Sequence, residues 1–515
     1  MRTPLSRVWL LGLALAPAAL AGGDAQALAA AIDERLGAAW KDAGVKPAAE
    51  VDDAEFLRRV TLDLTGTIPT EEAARAFLRQ KEKDRRLRYV RGLLYGQGYA
   101  RSMAVRWANL LLGRQRVQEA GGETGPLVTW LGTQLAANTA WDETVRRLIA
   151  AEGAAAENGA VTWLMAYENQ PEEATGNALR VFSGRDVQCA QCHDHPFDPE
   201  VTQRDFWGLA AFFARAAVQR DMEQATLRER PQGEVRLPRA GGAQGPVVPP
   251  RFLGGPELPR EEGVHRRQEL ARLLTAPEHR AFELATVDRW WSFFFGAPLV
   301  GGDPAQGDGG AAAPLVELRA WLAGELRRSG FDVRRLCEAL VSTRAYQRAA
   351  AGDPRQRLAQ QALFARARLR PLPPEQLWAA LERATGLETW GSGTPEERAE
   401  RRASWRREFF RTFAGDEATG DGEQATVPQA LALINGQLTN DLLKAGPDSP
   451  LLRQVLALPP DQRLESLYLR VLSRPPTSAE RRALSEGVRS SEDEVIRYQD
   501  VLWALLNSSE FLYAH

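Results

Sequence analysis

Seven prolines fall between Pro231 and Pro259 (Pro231, Pro238, Pro246, Pro249, Pro250, Pro256 and Pro259), with glycines scattered among them. A proline inside a helix removes a backbone donor and clashes with the preceding turn, so no long helix crosses this stretch. On either side the pattern is helical. Apolar residues recur at three- and four-residue intervals from about Leu28 to Arg215, and again from about Arg266 onward. The chain therefore reads as mainly α, with two helical domains joined by a Pro/Gly-rich segment that holds a small β element. The N-terminal helical domain covers 28–215, the junction 216–263 and the C-terminal helical domain 264–515. Within the junction, Val235-Arg236-Leu237 and Val247-Val248 are short extended pieces able to pair.

Local signals sharpen this outline. Leu57, Val60, Leu62 and Leu64 lead to Ile68-Pro69-Thr70, where Thr70 is placed to cap a helix running through Ala73, Phe77 and Leu78. Trp141 to Ile149 carries helical spacing, and Thr477 with Glu480 has the spacing of a capping box. Gly-rich breaks at Gly301 to Gly310 and Gly415 to Gly422 interrupt the second helical run. Asp303 and Asp308 lack the ligand ladder of a calcium loop, and Asp416, Glu417, Asp421 and Glu423 read as a solvated acidic loop.

Composition excludes several classes. With 515 residues, 44% of them hydrophobic and 26% charged, the chain is neither wholly disordered, nor collagen-like, nor a polytopic membrane protein. Lys+Arg 65 against Asp+Glu 67 leaves a net charge of −2, so no global basic field calls for nucleic acid. Nearly all the cations are Arg, which reads as a GC-rich coding bias. No P-loop, dinucleotide fingerprint, Gly-x-Ser-x-Gly or His-Glu-x-x-His motif occurs.

The first residues have the form of an export signal. Arg2 and Arg7 precede an apolar run from Val8 to Leu20 that ends at Ala19-Leu20-Ala21. This predicts a signal peptide over 1–21 and a periplasmic or secreted product. No later apolar run reaches the length of about 18 residues that a membrane span needs, so no integral membrane segment is expected after cleavage.

The stretch that carries chemistry is Val187-Gln188-Cys189-Ala190-Gln191-Cys192-His193-Asp194-His195-Pro196-Phe197. Cys-x-x-Cys-His is the attachment motif of c-type haem. Its spacing lets two thiols reach the two vinyl groups of one porphyrin edge while the next residue coordinates iron. Cys189 and Cys192 are then the anchors and His193 the iron ligand. His195 and Met165 are further candidate ligands, and Met103, Met222, His265 and His279 are weaker ones. Two other chemistries fit the same residues. Cys189, Cys192, His193 and His195 are suitable zinc ligands, and the two cysteines can form a disulfide or redox pair in an oxidising compartment. Asp194 and Asp198 flank the motif, either to orient an imidazole or to cap a helix near Pro199. Phe206, Trp207, Phe212 and Phe213 read as core, and Cys337 as a buried, inert thiol.

Several segments resemble known families. Phe56 to Thr70, Cys189 to Phe197 and Gly208 to Phe213 resemble a domain abundant in planctomycetes, domain of unknown function 1549. Pro250 to Gly255, Ser329 to Asp332, Ser342 to Gln347, Pro428 to Leu431 with Asn435-Gly436, and Trp503 to Phe511 resemble its usual companion, domain of unknown function 1553. The resemblance implies a secreted planctomycete-type protein, sometimes fused to cytochrome c-like domains and often encoded beside a sulfatase-like partner. It implies no known reaction. Asp288 stands where the family usually has Asn, and Gly309 to Pro314 replace an Asn-Pro-Pro-Ser-His-Pro type segment.

The expected function is thus an exported, haem c-binding, cytochrome c-like protein that exchanges electrons with a redox partner or uses haem for oxidation. The alternative is a non-catalytic binding or scaffold protein whose Cys/His knot holds zinc or a disulfide. A polysaccharide-associated hydrolase is a third reading, resting on family neighbourhood alone. The sequence leaves open whether the protein is an enzyme.

Overall fold

The computed structural model describes residues 24–199, 201–221, 225–238, 244–259, 265–301, 313–387, 393–413, 450–485 and 491–514, with positions 429, 432, 436 and 441. The expected signal peptide, Met222 and the acidic residues at 303, 308, 416, 417, 421 and 423 lie outside the described residues.

Helices dominate, and their ends follow the local chemistry. Asp52 caps Asp53–Thr65 by accepting from Glu55 N at 2.9 Å, and Gly66 closes the helix in the left-handed region at φ 74°. Thr70 caps Glu71–Arg79 through Ala73 N at 3.1 Å, and Thr477 and Glu480 bond reciprocally ahead of Ser478–Ser485. Both capping expectations are met.

The β content is small. Val235–Pro238 pairs antiparallel with Gln244–Val248, with Val235 opposite Val248 and Arg236 opposite Val247, as the junction pattern anticipates. A three-stranded sheet places Ala225–Glu229 between Gly153–Ala154 and Ala216–Arg220. A further two-residue ladder joins Arg370–Pro371 to Tyr513–Ala514. No described helix is long and apolar enough to cross a membrane.

Residues on both sides of the junction share the principal apolar core. At its centre Trp107, Trp141 and Trp290 pack with ring centroids 4.2–5.8 Å apart, from the helices Gln97–Leu112, Trp141–Ile149 and Arg280–Phe295. Tilted and edge-on geometries of this kind add about 0.5–1.5 kcal/mol per pair beyond burial. A second cluster unites Leu62 and Ile68 with Trp378, Phe409, Leu467 and Leu502.

The helix Asp53–Thr65 lies between these two clusters, and every residue from Phe56 to Leu64 is buried. Its two buried arginines donate to carbonyls of distant segments, and Arg59 also pairs with Glu55 one turn earlier in the helix. Arg58 donates to Val471 O and Phe511 O, each at 2.9 Å, and Arg59 donates to Arg348 O and Glu55 Oε1, each at 2.8 Å. Arg267, 1% exposed, donates to Ile149 O and Ala151 O, and Arg266 donates to Ala211 O and Gly233 O. These guanidiniums act as multi-donor clips on carbonyls that would otherwise be buried without a partner.

Candidate functional site

The Cys-x-x-Cys-His segment sits between the helices Pro171–Phe182 and Gln203–Ala210. Gln188–Gln191 form one 3₁₀ turn, closed where Cys192 N donates to Cys189 O at 3.4 Å. Val187 and Ala190 are buried and fasten the turn to the core, whereas Cys189, Cys192 and His193 are exposed. Both cysteines are free thiols. The following helix holds the turn from its other side. Gln203 donates its side-chain amide to Gln191 O at 3.1 Å and Cys192 O at 3.0 Å, and Trp207 Nε1 donates to Gln191 O at 3.1 Å. That helix is itself fixed by a capping box between Thr202 and Asp205.

The two histidines of the motif differ. Nδ1 of His193 lies 2.8 Å from the carbonyl oxygen of Asp194. A carbonyl oxygen only accepts, so Nδ1 carries a proton, and Nε2 has no hydrogen-bond partner among the described residues. His195, only 7% exposed, is engaged at both ring nitrogens. Its Nδ1 accepts from Asp198 N at 2.9 Å and Phe197 N at 3.3 Å, which leaves Nε2–H to donate to Asp186 O at 3.0 Å. His195 thus staples the loop after the motif. Asp194 acts at the helix start, its Oδ1 accepting from Gln203 N at 2.8 Å.

The other residues named as candidate ligands are distributed through the fold. Met165 is half-buried against the principal core, and Met103 is fully buried within it. His279 packs edge-on to Phe252 at 4.9 Å, and burial pushes its imidazole down to about 4. His265 is exposed at the start of Arg266–Leu274 near Glu152 and Glu229. Phe206, Phe212 and Phe213 are core, and Trp207 is half-buried beside the turn.

The turn brings together two exposed thiols separated by two residues, an adjacent imidazole and the carbonyl that accepts from its Nδ1. Apolar cover is modest. Phe197, 66% exposed, and Trp207 are aromatic residues bonded to the turn or to the loop that follows it.

A second feature escapes sequence inspection altogether. A cleft of about 1410 Å³ opens where Asp53–Thr65, Gln97–Leu112 and Pro374–Thr385 meet. On it lies Asp63, whose side chain is 2% exposed and accepts from Arg370 at 3.0 and 3.2 Å and from Tyr346 Oη at 2.8 Å. Arg106 approaches the same carboxylate at 3.9 Å and donates to Phe293 O at 2.9 Å, as Arg370 does at 3.0 Å. Burial lowers the Arg106 guanidinium from its usual range and raises the Tyr346 phenol well above its own. Nearby, Glu375 accepts from Arg114 at 2.7 Å and from Asn109 at 3.0 Å. The partners of Asp63 come from positions 106, 346 and 370, so no local spacing could have announced them.

Comparison with protein families finds two matches, in order along the chain. Residues 31–218 match PSCyt2, a protein of unknown function (DUF1549). Residues 266–409 match PSD1, a protein of unknown function (DUF1553). The two families expected from the sequence are therefore found in the expected order. No curated protein and no solved structure matches the chain.

Proposed function

We propose that Cys189 and Cys192 are the thioether anchors of a c-type haem, with Nε2 of His193 as the protein's iron ligand, in an exported electron-transfer protein. The observation that carries this reading is the His193 imidazole, held by Asp194 O through Nδ1 so that its second nitrogen is available beside two exposed free thiols. When bound, the group supplies a one-electron couple. The chain's own part is to hold the thiols on a single 3₁₀ turn, to fix the tautomer and orientation of His193, and to keep the turn rigid through Gln203 and Trp207. Because the motif lies at the surface, a redox partner can approach it directly, which favours electron exchange over chemistry in an enclosed pocket.

The full chain, exported from a host with a c-type haem maturation system, tests this. The expected product keeps its reduced visible bands after denaturation and gains the mass of one haem. Cys189→Ser with Cys192→Ser abolishes both signals, while His193→Ala keeps the mass gain and shifts the bands. Colourless protein from a competent host overturns the reading. Stoichiometric zinc in that colourless protein, lost in the same cysteine variants, would establish the metal-knot alternative.

A further inference from the structure

The large cleft has a charge pattern that its internal pairing leaves unbalanced. Seven arginines and four carboxylates line it, three cations in excess, in a chain whose overall charge is −2. The four carboxylates are consumed within the wall: Asp63 by Arg370 and Arg106, Glu375 by Arg114, Glu382 by Arg402 and Glu123 by Arg101. Arg180 and Arg383 remain. Both are exposed on the lining, and among the described residues neither forms an ion pair; the Arg180 guanidinium makes a single 3.5 Å contact, to Leu110 O.

The rest of the lining narrows the ligand. Neutral side chains, among them Thr65, Ser102, Asn177 and Gln376, share the lining with Pro371, Pro373 and Tyr167; Thr65 Oγ1, Asn177 Oδ1 and Gln376 Nε2 each hold one bond within the wall and keep further donor or acceptor capacity. Recognition of an extended peptide would use an exposed strand edge, and the ladder in this wall is two residues long and already paired. A nucleic-acid strand would call for a row of stacking aromatics and a basic chain. The cleft is also larger than the roughly 300–1,000 Å³ typical of single small-molecule sites. A ligand several units long, rich in hydroxyl groups and bearing anions, matches all of these features.

We infer that this cleft binds an acidic oligosaccharide, with Arg180 and Arg383 pairing with its carboxylate or sulfate groups and the neutral wall residues bonding its hydroxyls. Arginine suits both groups because its planar fork presents parallel donors to paired oxygens. The site is independent of the Cys/His turn, whose residues do not line it.

Titration calorimetry on the full chain tests this with oligogalacturonate as the carboxylated probe, a sulfated oligosaccharide as the second anionic source, and a neutral oligosaccharide of equal length as control. Either anionic probe should bind, weakening as salt is raised, and the neutral one should not. Arg180→Ala with Arg383→Ala should weaken binding about tenfold or more while leaving the unfolding temperature unchanged, since neither side chain holds the fold. Cys189→Ser with Cys192→Ser should bind as the parent does, which separates this result from the fate of the haem proposal. The inference fails if neither anionic probe binds, if the double arginine variant binds undiminished, or if polyglutamate binds as tightly as the oligosaccharides.

Discussion

Arg370 donates to both carboxylate oxygens of Asp63, at 3.0 and 3.2 Å, although 307 residues separate the two along the chain. The pair ties the first helical run to the last third of the molecule, and Tyr346 adds a third segment through the same carboxylate. Removing one member of a buried ion pair leaves the other charge uncompensated, at a cost of about 3–5 kcal/mol. Asp63→Ala should therefore lower the unfolding free energy by that order. Asp63→Asn, which keeps an acceptor for Tyr346, should cost less. Denaturant titration followed by circular dichroism measures both, and an Asp63→Ala curve coincident with the parent's would show that this pair does not hold the segments together.

Arg58 works differently, because its partners are carbonyl oxygens of Val471 and Phe511. Arg58→Met keeps an apolar stem of similar length and removes both donors, stranding two buried acceptors at about 1–3 kcal/mol each. The loss should be felt first at the C-terminus, where Tyr513–Ala514 depends on a two-residue ladder with Arg370–Pro371. Hydrogen exchange should accelerate over 509–514 more than in the helix Gln97–Leu112. Uniform acceleration across the chain would instead mark Arg58 as part of the global core.

What could be read from the sequence was what is local. Thr70 and the Thr477–Glu480 pair sit within three residues of the amides they satisfy, so spacing alone reveals them. The strand pair at 235 and 248 is likewise signalled by valines set among prolines that forbid helix. The strand Gly153–Ala154 is not, because two residues become a strand only by pairing with Thr226 and Leu227. The arginines make the same point. Their abundance reads as coding bias, yet Arg58, Arg266 and Arg267 are buried donors to main-chain carbonyls far away, a role with no periodicity. The Cys/His turn was visible as a motif because its chemistry is consecutive. The cleft was not, since the side chains around Asp63 converge only in the folded chain.

Thiol reactivity should divide the three cysteines in apoprotein made without haem maturation. Cys189 and Cys192 are exposed, whereas Cys337 is fully buried, lies 3.6 Å from Tyr99 Oη and has its thiol pushed up to about 12 by burial. Reduced native protein should release two equivalents promptly with a chromogenic disulfide reagent and the third only on denaturation. Prompt release of three equivalents would mean that the helix Val333–Ser342 opens readily.

Asp288 sets an acid-side dependence of stability. Its carboxyl accepts from Val300 N at 3.3 Å and from Arg319 at 3.1 Å, yet burial outweighs both and pushes it up to about 6 from 3.8. A carboxyl raised in the folded state binds its proton more tightly there than when unfolded. The stability it contributes is full below about pH 4 and is lost as pH rises through about 6, by roughly 2–3 kcal/mol. Asp288→Asn removes the titration while keeping an acceptor toward Val300 N. Unfolding free energies measured from pH 4 to pH 7 should fall more steeply for the parent than for the variant. Parallel profiles would place the titrating group elsewhere.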